Sequence, residues 1–188
     1  MIYRRLFLLI LLIWLTITLN SILAQRMEAY MTKIECPNHF PELIKNLSCH
    51  LNPSSQHSGS SEYSAEFVLT KDVTNVKGIY VFSLKRGSII TNYTAMEIDY
   101  CQALASLQSH FLLKMIADEL RRVANFPLQC PFKMNKRYYV NNFSINSKLI
   151  PSYAPELNFI SDCNIFVNNR KALTLIIHGR VVRRRSGR

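Results

Sequence analysis

The stretch VKGIYVFSL, residues 76–84, passes through KRGS, 85–88, into IITNYTAMEI, 89–98. Both arms are rich in Val, Ile, Thr, Tyr and Phe, the residues that suit a pleated, half-buried surface, and Arg86-Gly87 marks a tight turn between them. The same style recurs along most of the chain. Tyr30, Thr32, Ile34 and Cys36 alternate with Met31, Lys33 and Glu35, and residues 63–69, 137–145, 157–167 and 172–182 read as further strands. Turn residues separate them at Asn52-Pro53 with the serines to Ser61, at Lys71-Asp72 and at Asn168-Asn169. Many short strands with regular punctuation predict a mainly β chain, an immunoglobulin-like sandwich or a barrel.

One segment departs from period two. Residues 102–123 contain no Gly and no Pro; Leu104, Leu107, Phe111 and Met115 fall three and four apart, with Leu112, Ile116, Leu120 and Val123 beside them. This apolar face lies opposite Ser106, His110, Lys114 and Arg121, and predicts one amphipathic helix packed on the sheets. It starts after Cys101, and Pro127 stops it before Cys130.

Arg4 and Arg5 precede an apolar run from Leu6 to Leu19 and the exit Ser21-Ile22-Leu23-Ala24. That is the plan of a secretory signal peptide, residues 1–24, and it places the rest of the chain in an oxidising, extracellular compartment. Residues 25–182 then form a single domain, and 183–188 a basic tail. Five cysteines follow the leader: Cys36, Cys49, Cys101, Cys130 and Cys163. Joining Cys101 to Cys130 staples both ends of the helical excursion, a loop whose closure contributes about 3 to 4 kcal/mol by chain entropy. Cys36 and Cys49 are the next natural pair and Cys163 the leftover, although spacing also permits Cys163 to take Cys36 or Cys49. Three sequons, at Asn46, Asn92 and Asn142, fit the same address and expect glycans on exposed backbone.

The formal net charge is +11, and Arg183, Arg184, Arg185 and Arg188 crowd the last six residues. An extracellular address argues against nucleic acid, and leaves anionic glycans or membrane surfaces as contacts for the tail. Arg180-Val181-Val182-Arg183 and Arg183-Arg184-Arg185 also resemble sites of secretory endoproteases. No closely spaced Cys/His pair, H-E-x-x-H, G-x-S-x-G or phosphate-binding glycine loop occurs, so neither a metal, a cofactor nor catalysis is expected. His110, His178 and the pair Glu97 and Asp99 read as surface or structural groups. The aromatics are more informative. Phe67, Tyr80, Phe82, Phe111, Met115, Phe143, Phe159 and Phe166 sit in predicted strands or the helix, where they fill a core or, if the sheets splay, line an apolar pocket.

The strings Asp99-Tyr100-Cys101-Gln102-Ala103-Leu104 and Asn125-Phe126-Pro127-Leu128-Gln129-Cys130-Pro131-Phe132 resemble an insect family of secreted proteins of unassigned function, best known through the CheB chemosensory proteins of flies. Thr32 to Cys36, Val73 to Lys77, Tyr138 to Phe143 and Leu149-Ile150-Pro151 extend the resemblance over about residues 28–180. It implies an ML-like lipid-recognition sandwich, similar to the ganglioside activator protein, with no catalytic residues. Ala103 stands where such chains carry an aromatic, and Glu156 where they carry a glycine. Cys163 and the arginine tail are additions to the pattern. The expected function is binding of a hydrophobic small molecule or lipid, with a protein-binding accessory factor as the alternative and a secreted hydrolase third.

Overall fold

A computed structural model describes residues 7, 10, 11, 14, 25–52, 61–101, 111–127 and 130–185. Strand β1 (Gln25–Glu35) comes first; β2 (Ile44–Asn52), β3 (Glu62–Leu69), β4 (Val76–Arg86) and β5 (Ile89–Asp99) follow. Helix α1 (Phe111–Val123) leads into β6 (Arg137–Phe143), a short 3-10 turn (Ser147–Leu149), β7 (Leu157–Val167) and β8 (Arg170–Arg185). The strands form two antiparallel sheets, five-stranded in the order β1-β8-β7-β4-β5 and three-stranded in the order β2-β3-β6. Among the described residues the architecture is a β-sandwich with helix α1 beside it, as the alternation and the helical stripe predict. Gly87 turns the β4–β5 hairpin at φ 62°, and Asn168 and Asn169 turn β7 into β8 at φ 50° and 63°. These are the left-handed conformations that match the twist of paired strands.

The five-stranded sheet is wider than its partner, and α1 extends the second layer. Leu120, Val123 and Ala124 pack with Val140 and Phe143 of β6, while Lys114, Asp118, Glu119 and Arg122 form ion pairs on the outer side of the helix. Asn125 locks the helix end to β6: its Oδ1 accepts from the Tyr139 N–H at 2.8 Å and its Nδ2 donates to the Arg137 carbonyl at 2.9 Å. The first part of the expected helix, residues 102–110, lies outside the described residues.

Cys101 is joined to Cys130 and Cys36 to Cys49, and Cys163 is unpaired. Two details correct the sequence reading. A bulge between Met31 and Lys33 breaks the alternation of β1, so that Met31 and Ile34 both enter the core although simple parity puts them on opposite faces. The basic tail is also shorter than expected. Met27, Arg26 and Gln25 pair with Arg183, Arg184 and Arg185, and the Arg184 guanidinium meets the Glu28 carboxylate at 3.0 Å, so β8 stays paired with β1 through Arg185.

Candidate binding site

Register assigns each side chain to a face. Gly78, Tyr80 and Phe82 of β4 lie beside Ile165, Cys163 and Ser161 of β7, which lie beside Leu173, Leu175 and Ile177 of β8. All of these face the three-stranded sheet, whose own inward residues include Tyr63, Ala65 and Phe67 on β3 and Tyr138, Val140 and Phe143 on β6.

The burial along these inward rows is uneven in a telling way. Phe159 and Val167 close the ends of the β7 row at 4% and 7% exposure, yet Ser161, Cys163 and Ile165 between them keep accessible surface in the middle of a five-stranded sheet. On β8, Leu173 and Ile177 are buried while Leu175 between them is not; across the sandwich Ala65 is likewise less buried than Tyr63. A filled sandwich would bury its central positions most deeply. Cys163 and Tyr100 are likewise only partly buried. The central inward positions are thus less covered by protein than the ends of the same rows.

The side chains around these positions are apolar with a few hydroxyls. Phe82 stacks on Phe159 with ring centroids 5.5 Å apart, Tyr63 meets Phe143 at 5.0 Å, and Met96 and Ile98 of β5 pack on Tyr80. Two glycines make room for rings. A Cβ on Gly78 would stand 2.6 Å from the Tyr100 ring, and one on Gly179 2.2 Å from the Phe159 ring. The Tyr100 hydroxyl lies 3.0 Å from the Cys163 sulfur, and the Ser161 hydroxyl donates to Tyr80 at 3.4 Å. Tyr63 is 4% exposed, and its hydroxyl has no hydrogen-bond partner among the described residues.

Burial pushes the Tyr63 and Tyr100 hydroxyls well above the ordinary phenol range, and the sulfur of Cys163 adds to the effect in both. Burial likewise raises the Cys163 thiol to about 11, opposed by its hydrogen bond with Tyr100. The thiol is therefore neutral and a poor nucleophile at pH 7. Iodoacetamide at pH 8 should leave Cys163 unlabelled in the folded protein and alkylate it in denaturant, as read by peptide mass; labelling of the native protein at the denatured rate would place the thiol at the surface.

Of the eight aromatic and methionine candidates, Tyr80, Phe82, Phe143 and Phe159 are brought together on the inward faces. Phe67 joins Tyr138, Phe126 and Phe132 in a filled aromatic cluster at one end, with ring separations from 5.2 to 6.4 Å. Phe166 is the exception: it pairs with Lys77 and Lys171 and points to the opposite face, one step out of phase with Ile165. The side chains of Phe111 and Met115, and all of His110, lie outside the described residues. Tyr63, Tyr100 and Cys163 were not among the candidates, because nothing in their separate segments signals that they meet.

The remaining candidates are structural. Asp99 accepts the Cys101 N–H at 2.9 Å and fixes the turn into the helical segment, Glu97 pairs with Lys77 at 3.4 Å, and His178 lies 3.6 Å from Glu35 on the outer surface. Among the described residues, no group of three or more His, Cys, Asp or Glu is placed to hold a metal ion. No helix among them is long and apolar enough to cross a membrane. An open polar groove of about 500 Å³, bounded by Glu62, Arg122, Tyr139 and Asn142, runs between the end of α1 and β6. Its walls suit water or a glycan more than an apolar ligand.

A family model described as a protein of unknown function, DUF1091, matches residues 79–161. The matched stretch runs from β4 into β7 and contains Tyr80, Phe82, Tyr100, the Cys101–Cys130 disulfide, Phe143 and Phe159. No curated protein matches the chain. Among solved structures, a Niemann-Pick type C2 protein from Japanese carpenter ant is similar over 80% of this chain and 90% of its own, at 13% identity and a TM-score of 0.29. A likeness that slight carries none of the argument below.

Proposed function

We propose that this chain is a secreted, glycosylated protein that holds a hydrophobic small molecule or lipid between its two sheets and does not transform it. The observation that carries this reading is the accessible surface at Ser161, Cys163, Ile165 and Leu175, in the centre of the sandwich. A dry apolar hollow gains affinity from area removed from water, at roughly 25 cal/mol per Å², which favours a ligand with a long hydrocarbon portion. The same residues offer no activated nucleophile. The one interior thiol is held neutral, and its partner is a tyrosine hydroxyl instead of a base.

Secretion is supported by the leader and by the two disulfides, which persist in oxidising compartments. Asn46, Asn92 and Asn142 are exposed, as glycan acceptors must be. The resemblance to the CheB-containing family points to chemosensory or pheromone handling as the biological setting.

Protein purified from insect-cell medium should release an apolar molecule on solvent extraction. After delipidation it should enhance and blue-shift the fluorescence of N-phenyl-1-naphthylamine. Extracts without any apolar compound, together with no fluorescence change, would overturn the proposal.

A second reading, an accessory factor that docks another protein, has one observation in its favour. The tip of the β4–β5 hairpin exposes Ile89 (68%), Ile90 (54%) and Tyr93 (66%) beside the cationic Lys85 and Arg86.

A further inference from the structure

We infer that the ligand of this hollow is electrically neutral and carries a hydrogen-bond acceptor at its buried end: a long-chain ester, alcohol, aldehyde or ketone, and not a fatty-acid anion. The inference rests on the binding reading above and adds the chemical class.

Charge is the first argument. In the register of the strands, no inward position within residues 76–84, 157–167 or 173–181, nor along β3 and β6, carries Lys, Arg, His, Asp or Glu. A carboxylate drawn between these strands loses its hydration and meets no cation on them, a cost that an anion avoids by staying in water. The groups that face inward there stay neutral. Tyr100 and Cys163 satisfy one another at 3.0 Å, and Ser161 is engaged with Tyr80.

The Tyr63 hydroxyl points the same way independently, since no described residue accepts from it. Tyr63 projects from β3, its ring is fixed against Phe143 at 5.0 Å, and its buried hydroxyl has no partner among the described residues. Buried polar groups in folded proteins are almost always paired, so an orphan of this kind asks for an acceptor that belongs to something else. Burial keeps the hydroxyl protonated, hence a donor, across the physiological range. A fatty acid that entered tail first, with its carboxylate at the mouth, would leave this donor unpaired. A chain ending in a carbonyl or hydroxyl oxygen pairs it.

Competition for N-phenyl-1-naphthylamine by compounds that share a sixteen-carbon chain separates the possibilities. The delipidated mature protein at pH 8 is titrated with hexadecyl acetate, hexadecanol, hexadecane and palmitate. Hexadecyl acetate and hexadecanol should displace the probe at concentrations about tenfold below those needed for hexadecane or palmitate, the discrimination expected for one satisfied buried hydrogen bond. Tyr63→Phe removes a single oxygen; it should erase the gap between ester and alkane while leaving hexadecane displacement within about twofold of wild type. Palmitate competing as well as the ester, or an ester-to-alkane gap unchanged in Tyr63→Phe, would overturn the inference while leaving a lipid-binding protein. Displacement by none of the four, with the probe itself unbound, would remove the binding reading and this inference with it. The wild-type comparison decides the matter alone if the variant is not secreted.

Discussion

Gly179→Ala is expected to destabilise the fold by about 3 kcal/mol or more, the upper end of what overpacking costs. The added methyl would lie 2.2 Å from the Phe159 ring and 2.6 Å from the Tyr30 carbonyl oxygen. Neither neighbour yields cheaply. Phe159 is 4% exposed and stacked on Phe82, so its ring can retreat only towards the space between the sheets. The Tyr30 carbonyl belongs to β1, whose pairing with β8 holds Tyr30 opposite Arg180 and Met31 opposite Gly179. Relieving the clash therefore pushes an aromatic wall inward and an edge strand outward at once. Thermal unfolding should fall by roughly 6 to 12 °C for a domain of this size. If the variant still folds, its ligand affinity should fall with it, because the displaced ring takes up space the ligand needs. A midpoint within 2 °C of wild type would show that the β1–β8 contact is looser than the geometry implies.

Much of the fold is legible in the sequence because it rests on local rules. The hairpin over 76–98 needs only alternation, β-branched residues and a turn containing a glycine. The hairpin at Asn168 and Asn169 needs two residues tolerant of positive φ. Long-range pairing is where local reading stops. Arg183 and Arg184 look like a solvated tail until β1 lies beside them and Glu28 supplies a counter-charge. Phe166 is as apolar as its neighbours, and only its parity against Ile165 and Val167 sends it outward. The bulge at Met31 leaves no compositional mark, since any residue can be the extra one in a strand.

The site was harder still to read. Its members come from β3, the turn into the helical segment and the middle of β7, and Tyr63, Tyr100 and Cys163 are far apart in the chain. An odd cysteine in a secreted protein suggests a missing partner before it suggests a lining residue. What distinguishes Cys163 is its depth, together with surface that remains accessible there, and this is a property of the packed sandwich. Spacing could nominate the aromatics of β4 and β7; it could not show how the centre between them is packed.

Removing the Cys101–Cys130 bridge should cost about 3 to 4 kcal/mol, more than removing Cys36–Cys49. The two bridges span 29 and 13 residues, and the chain-entropy dependence on loop length makes the longer closure worth about 0.7 kcal/mol more. Paired alanine substitutions test this without leaving an orphan thiol to reshuffle. The longer loop also has a role the shorter one lacks. It contains α1, which packs through Leu120 and Val123 against β6 and extends the narrower sheet. Without the bridge, the helical segment is held at its far end only by Asn125 and the β6 contacts. Cys101→Ala/Cys130→Ala should therefore lose bound ligand under conditions where Cys36→Ala/Cys49→Ala retains it, as measured by extraction of the secreted proteins. Denaturation midpoints supply the stability ranking independently. Equal ligand retention in the two variants would mean that the helix does not close the hollow, and a larger stability loss from the Cys36–Cys49 pair would mean that native packing, not loop entropy, sets what each bridge contributes.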